Sequence, residues 1–145
     1  MSIRATISLH IVQSPYLLRP GFMTLVHFKI DNLFHNILKH IKALPDRRGY
    51  WHLTDSILEQ CGLSESGTEK QQLTAFANLR NSLHSNGIHR TSSLKITVDG
   101  LSFEFAEGMR VECASWKHII VLLETNVRIL NTISYHRRLR LSRRR

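Results

Sequence analysis

The residues best suited to chemistry in this chain are Arg80, Asn81 and His84. Residues four apart on a helix lie on one face, with roughly 5–6 Å between their Cβ atoms, so Arg80 and His84 are expected to project together. A guanidinium binds phosphate oxygens through paired N–H donors, and an imidazole exchanges a proton near neutral pH. We therefore take Arg80, Asn81 and His84 as candidate catalytic residues that hold a phosphate group and move a proton beside it.

The same three residue types have a purely structural use at the end of a helix. Their side chains can cap the last carbonyl groups and hydrogen-bond to the chain that follows. This structural alternative stays open for Arg80, Asn81 and His84.

The sequence contains none of the motifs that metal, nucleotide or serine-nucleophile chemistry would require. The nine histidines include no HExxH pattern and no Cys/His pair at zinc spacing, and the seven glycines form no phosphate-binding loop. No serine lies in a nucleophile elbow. We therefore expect neither a metal nor a cofactor.

Apolar residues at three- and four-residue steps predict three helices around this trio. The first is expected from Thr24 until Pro45 ends it, and the second from a capping Thr54 to Gly62. Residues 1–20 are ambiguous: Pro15 and Pro20 are expected to stop a helix, and the segment reads either as a short strand or as poorly ordered chain. The third helix, which carries the trio, is expected to begin after Ser66-Gly67 with Thr68 as its cap, and to end at a left-handed Asn86-Gly87 stop.

The period of the apolar residues then changes to two. The alternating segments 94–98 and 101–105 flank Asp99-Gly100, a strong signal for a β-hairpin. Ser115 is expected to cap a last helix, in which Trp116 joins Phe28, Phe76 and Phe103 as core aromatic residues. The sequence thus predicts a mainly α fold, a bundle of about four helices with a β-hairpin inserted before the last helix, in a single domain over residues 1–145.

The net charge of +9 is concentrated at the C-terminal end. Removing six arginines from the count leaves only +3; they are Arg137, Arg138, Arg140, Arg143, Arg144 and Arg145. A basic segment at 137–145 favours RNA or another acidic partner through phosphate contacts. We take Arg80, Arg137, Arg138 and Arg140 as candidate RNA-binding residues, and a solvated end without a specific role remains the alternative.

The sequence also indicates the cellular compartment in which the protein is expected. The longest apolar run, Ile119–Leu123, is far shorter than the roughly 20 residues that cross a bilayer. Cys61 and Cys113 form no CxxC pair and are expected to be reduced thiols. We expect a cytoplasmic protein without a membrane partner.

At Arg80-Asn81 and His84 the chain resembles the HEPN superfamily, whose motif is an arginine, usually a polar residue such as asparagine, and then a histidine. The continuation through Ser85-Asn86-Gly87 gives the pattern RN-x-x-H-x-N-G, which is similar to a subgroup of HEPN-like proteins. The resemblance covers roughly Thr24 to Ile133 in architecture, and its specific part is the short motif.

This resemblance implies a metal-independent endoribonuclease of toxin–antitoxin or phage-defence type. Arg80 would hold the scissile phosphate, Asn81 would orient the imidazole or a phosphate oxygen, and His84 would move the proton of the 2′-hydroxyl or of the leaving oxygen. It also implies a homodimer through the motif helices, and an antitoxin or another protein as a partner.

The spacing of the motif departs from the family pattern. The family usually leaves four to six residues between arginine and histidine, whereas three separate Arg80 from His84. His89 is an alternative partner, with eight residues between it and Arg80. Either a subgroup uses a tighter geometry, or the chain is a catalytically inactive HEPN-like module that binds RNA or a protein. A helical adaptor outside the family, which binds nucleic acid through the tail, is a third possibility.

Overall fold

The structure, a computed structural model, describes residues 3–47, 49–63 and 67–142. Its elements are α1 (Ile3–His40), α2 (Tyr50–Cys61), α3 (Thr68–His84), β1 (Leu94–Val98), β2 (Leu101–Phe105) and α4 (Trp116–Ser142). Over these residues the fold is mainly helical, with the antiparallel hairpin directly before the last helix. The predicted fold class is confirmed.

Helix α3 is the central element of the core. It packs against α1, α2, α4 and β1. Its buried residues include small and polar side chains as well as large apolar ones: Leu73, Ala75, Phe76, Ala77, Asn78, Leu79 and Ser82. Burial on this scale fixes α3, and with it the three candidate catalytic residues at its C-terminal end.

The prediction for the first helix was wrong at its start. Helix α1 begins at Ile3, 21 residues before Thr24, and it continues through Pro15 and Pro20. A proline removes one backbone donor and crowds the carbonyl four residues earlier, which kinks or weakens a helix without necessarily ending it. The end also differs, because α1 stops at His40 and Lys42 adopts a left-handed φ of 56°, ahead of Pro45.

The start of α2 and the N-cap residue of α3 also differ from the sequence predictions, while both ends agree. Glycines occupy the N-cap positions, Gly49 for α2 and Gly67 for α3, so Thr54 lies buried inside α2 and Thr68 is the first residue of α3. Both helices end in a left-handed stop, with Gly62 after α2 and with Asn86 and Gly87 after α3.

The hairpin matches the prediction in register as well as in position. Leu94 faces Phe105 across the two strands, and Asp99 and Gly100 form the turn with φ values of 49° and 78°. Ile96, Val98, Phe103 and Phe105 face the core. At the turn, Arg128 of α4 forms an ion pair with Asp99.

Ser115 caps α4 as predicted, since its hydroxyl accepts a hydrogen bond from the backbone N–H of His118. Two of the four aromatic residues assigned to the core lie at the surface instead. Phe76 and Phe103 are fully buried, whereas Phe28 is 61% exposed and Trp116 is 39% exposed. The prediction of a core position was therefore wrong for Phe28 and Trp116.

Among the described residues, no helix combines the length and the apolar character needed to cross a membrane. Neither cysteine forms a disulfide bond.

The turn after α3 yields a test of backbone strain. Gly87 has a φ of +80°, and its carbonyl accepts a hydrogen bond from Val111 N–H at 2.8 Å. We expect Gly87→Ala to lower the free energy of unfolding by about 1–2 kcal/mol, because a left-handed conformation is unfavourable for an L side chain. Gly21→Ala is the matched control: Gly21 is helical with open space around it, so a gain of about 0.5–1 kcal/mol is expected. Urea unfolding followed by circular dichroism measures both, and equal shifts of one sign would contradict the assignment.

Candidate functional site

Arg80 lies near the C-terminal end of α3 and is half-buried. Its Nη1 donates a hydrogen bond to Oδ1 of Asn81 at 2.9 Å, and its Nε is buried without a hydrogen-bond partner. No carboxylate within the described residues forms an ion pair with Arg80. A cation with incomplete protein partners is the group that an anionic ligand would complete.

His84 is the last residue of α3 and is exposed, as is Asn81. Within the part of the chain that the structure describes, the His84 imidazole makes no hydrogen bond or ring contact. The helix therefore carries Arg80 and His84 one turn apart, as predicted from their spacing, but no described side chain orients the His84 ring.

His89, the alternative partner considered for Arg80, has a different place. It is 2% exposed, and its ring contacts Phe105 of β2 with 5.2 Å between the ring centroids. Its Nδ1 lies 3.2 Å from Oγ of the buried Ser82, and its Nε2 lies 3.1 Å from the carbonyl oxygen of Ser92. His89 joins the end of α3 to the start of the hairpin and is a positioning residue.

The partners of His89 also determine which nitrogen carries a proton. The Ser92 carbonyl can only accept, so Nε2 donates to it, and the Ser82 hydroxyl is free to donate to Nδ1. The Thr91 hydroxyl also lies near the same nitrogen, at 3.0 Å from Nε2, and it donates a hydrogen bond to Oδ1 of Asn78. This buried network leaves His89 without a free nitrogen for a substrate.

The structure brings a second histidine, His27 of α1, to the neighbourhood of Arg80. The His27 ring stacks on Phe76 with a centroid distance of 5.9 Å and an interplanar angle of 10°. It also lies 4.4 Å from the ring of Tyr50, the first residue of α2. Phe76 and Arg80 are one turn apart on α3, so they share a face. Three helices therefore meet at His27.

The surroundings of His27 keep its imidazole neutral at physiological pH. Burial, and secondly the Arg80 guanidinium, lower its pKa to about 4. Burial also raises the pKa of Tyr50, and the Asp31 carboxylate adds to that shift while Thr54 opposes it. The hydroxyl oxygens of Tyr50 and Thr54 are buried without hydrogen-bond partners of ordinary geometry.

His27 was not predicted from the sequence as a candidate site residue, although one signal was present. His27 is a polar residue in α1, whereas the residues four before, three after and seven after it are all buried; these are Met23, Ile30 and Phe34. A histidine in the middle of such an apolar face must be satisfied by a neighbouring element or by a ligand. Only the packing of α1 on α3 shows that Arg80 is beside it.

The basic C-terminal segment is described only in part. Arg137, Arg138 and Arg140 lie on the last turns of α4, which continues into the basic segment as predicted, and residues 143–145 lie outside the described residues. Among the side chains that the structure describes, no three histidine, cysteine, aspartate or glutamate residues converge as a metal site.

Comparisons of the chain with family models, with curated proteins and with solved structures found no match. The assignment of function therefore depends on the residues and geometry of the site.

The two histidines after Arg80 separate a structural role from a surface role. We expect His89→Ala to lower the free energy of unfolding by on the order of 3 kcal/mol, because it opens a cavity and leaves the Ser82 hydroxyl and Ser92 carbonyl without a partner. His84→Ala, at an exposed position, should change it by less than about 0.5 kcal/mol. Chemical denaturation of both variants tests this, and a large loss for His84→Ala would show that His84 holds the fold.

The low pKa of His27 predicts how stability depends on pH. Below the ordinary value of 6.5 the unfolded chain binds a proton at His27 that the folded protein excludes until about pH 4. The free energy of unfolding is therefore expected to fall as the pH is lowered from about 6.5 toward 4. His118, whose pKa burial also lowers, contributes in the same direction. Urea unfolding at pH 7 and pH 4.5 should show a smaller difference for His27→Gln than for the unsubstituted protein, whereas an equal difference would exclude His27 as a source.

Proposed function

We propose that this chain is a HEPN-like domain that cleaves RNA without a metal ion, in the cytoplasm, as an effector of toxin or phage-defence type. The observation that carries the proposal is Arg80, a guanidinium without a carboxylate partner among the described residues, with His84 one turn away at the accessible end of a buried helix. The helical fold with a hairpin before α4 agrees with the architecture that the motif implies.

The chemistry uses the 2′-hydroxyl of RNA as the nucleophile. A base removes the proton from this hydroxyl, the 2′-oxygen bonds to phosphorus, and the bond from phosphorus to the 5′-oxygen breaks as an acid protonates that oxygen. His84 performs one of the two proton transfers. Arg80 binds the phosphate and stabilises the charge that develops on its oxygens, and Asn81 orients Arg80 through the hydrogen bond between their side chains.

Two proton transfers require two groups, and a homodimer would supply His84 twice. The exposed side chains of α3 are polar at Thr68, Gln71, Asn81 and His84. Apolar contact area for a dimer beside the motif helices must therefore come from other helices. Such area is present on α1, at Leu25 and Phe28, and on α4, at Ile120 and Val127.

The second candidate is a catalytically inactive module that binds RNA or a protein partner, such as an antitoxin, through Arg80 and the basic end of α4. The lack of an orienting partner for the His84 ring among the described residues favours it, because an efficient acid or base is normally oriented by a second group. The three-residue spacing from Arg80 favours it too.

Cleavage of a labelled RNA in excess EDTA tests the proposal and separates the two candidates. We expect chelator-resistant cleavage that ends in a 2′,3′-cyclic phosphate. The rate should fall by about 10²–10⁴-fold in His84→Ala and by a similar factor in Arg80→Ala, because one loses a proton-transfer group and the other the phosphate contact. DNA of the same sequence should resist, since it lacks the 2′-hydroxyl.

His35→Ala and Arg90→Ala are the controls, because both side chains are exposed and they are of the same residue types as His84 and Arg80. They should retain full activity. Binding of RNA without cleavage would favour the binding module if Arg80→Ala weakens the binding and His84→Ala does not. Cleavage that survives both His84→Ala and Arg80→Ala would overturn the proposed site.

A further inference from the structure

We propose that Arg80, His27 and the first turn of α2 form a binding site for a phosphate group, in which His27 contacts the phosphate or the oxygen next to it. The inference deepens the proposed function and rests on it for the identity of the substrate, a phosphodiester of RNA. It adds a histidine that the sequence motif does not contain.

The first support is the convergence of three helices on one partly buried cation. The His27 ring is held between Phe76 of α3 and Tyr50 of α2, and Arg80 follows Phe76 by one helical turn on the same face. Arg80 is also close enough for its charge to act on His27. The cation and the imidazole therefore border the same space.

The second support is a buried donor that the described residues leave unpaired there. Nε of Arg80 is buried and lacks a hydrogen-bond partner. Oη of Tyr50 and Oγ1 of Thr54 are also buried; neither makes a hydrogen bond of ordinary geometry, and they lie near enough for Thr54 to act on the Tyr50 hydroxyl as a hydrogen-bond partner. Buried polar atoms are normally paired, because an unpaired one costs about 1–3 kcal/mol. The Arg80 Nε–H is therefore the donor for which a bound anion would supply the missing acceptor.

The third support is the start of α2. Its N-cap is Gly49, which provides no side-chain hydrogen bond to the first turn. The N-terminal end of a helix carries partial positive charge and free backbone N–H groups, both of which attract anions. The side chain of Tyr50, the first residue of α2, reaches from this end of the helix to the His27 ring.

The arrangement also bears on the need for two proton-transfer groups. Along α3, Arg80 lies one turn beyond Phe76, where His27 stacks, and one turn before His84. A phosphate on Arg80 would thus have one imidazole on each side. His27 is neutral at physiological pH, and a bound phosphate makes it more basic, so it can accept the proton of the 2′-hydroxyl, while His84 delivers a proton to the 5′-oxygen.

The site is tested first without RNA, with inorganic phosphate as the probe. The ring signals of His27 are followed by NMR during titration of phosphate at constant ionic strength, with chloride as the control anion. We expect a saturable shift, and an upward displacement of the His27 titration midpoint, because a bound anion favours the imidazolium. The charged and titratable groups that act there are Arg80 from α3, Tyr50 from α2 and Asp31 from α1.

Substitutions of opposite expected effect make the test specific. Arg80→Ala should weaken phosphate binding by about tenfold or more, because it removes the charged donor. Asp31→Asn should strengthen it, because it removes a negative charge from the same junction without changing the size of the side chain. His84→Ala should leave the His27 shift intact. A shift of His84 without a shift of His27, or binding that is unaffected by Arg80→Ala, would overturn the proposal.

Cleavage of RNA in EDTA by His27→Gln then separates this inference from the proposed function. A loss of about 10²-fold or more, in a variant with an unchanged circular dichroism spectrum, is expected if His27 is the base. Full cleavage by His27→Gln would reject the site and leave the ribonuclease standing. Phosphate binding at His27 together with no cleavage by any form would reject the ribonuclease and leave the site standing.

Discussion

The hydrogen bonds of the His89 ring are the constraint on which the rest of the structure depends. They join Ser82, in the last turn of α3, to Ser92, just before β1, through a side chain that is almost fully buried. Because a buried polar group cannot exchange its partner for water, this bridge fixes how the hairpin leaves the helix. The left-handed stop at Asn86 and Gly87 turns the chain so that the bridge can form.

With α3 held at its end and buried along its length, few of its positions remain available for a ligand. Leu73, Phe76 and Leu79 are committed to the core, and Ser82 to the bridge. Arg80 lies at the border between buried and accessible surface, where a guanidinium keeps its charge while losing part of its hydration. Such a border position makes interactions with an anion stronger than they are for a fully exposed arginine.

The elements of this chain were predictable from its sequence wherever local chemistry decides the structure. The hairpin follows from alternation around Asp99-Gly100, and the end of α3 follows from Asn86-Gly87, because both depend on backbone conformations that only a few residue types favour. The start of α1 was not predictable in this way, since Pro15 weakens a helix locally without deciding the conformation of the segments on either side. The contribution of His27 was equally hidden, because it depends on which face of α1 meets α3 across some fifty residues of sequence.

The hairpin is attached unequally at its two ends, and this has a consequence for how the protein opens. Near β1 and β2 the base is anchored by buried groups, with His89 against Phe105 and a hydrogen bond from Val111 to Gly87. The turn is anchored by the exposed ion pair between Asp99 and Arg128, an interaction worth at most about 1 kcal/mol. Local fluctuations are therefore expected at Asp99 and Gly100, and they stop at Val98, whose side chain is fully buried. The strand ends next to α3 are therefore expected to separate only when α3 itself unfolds.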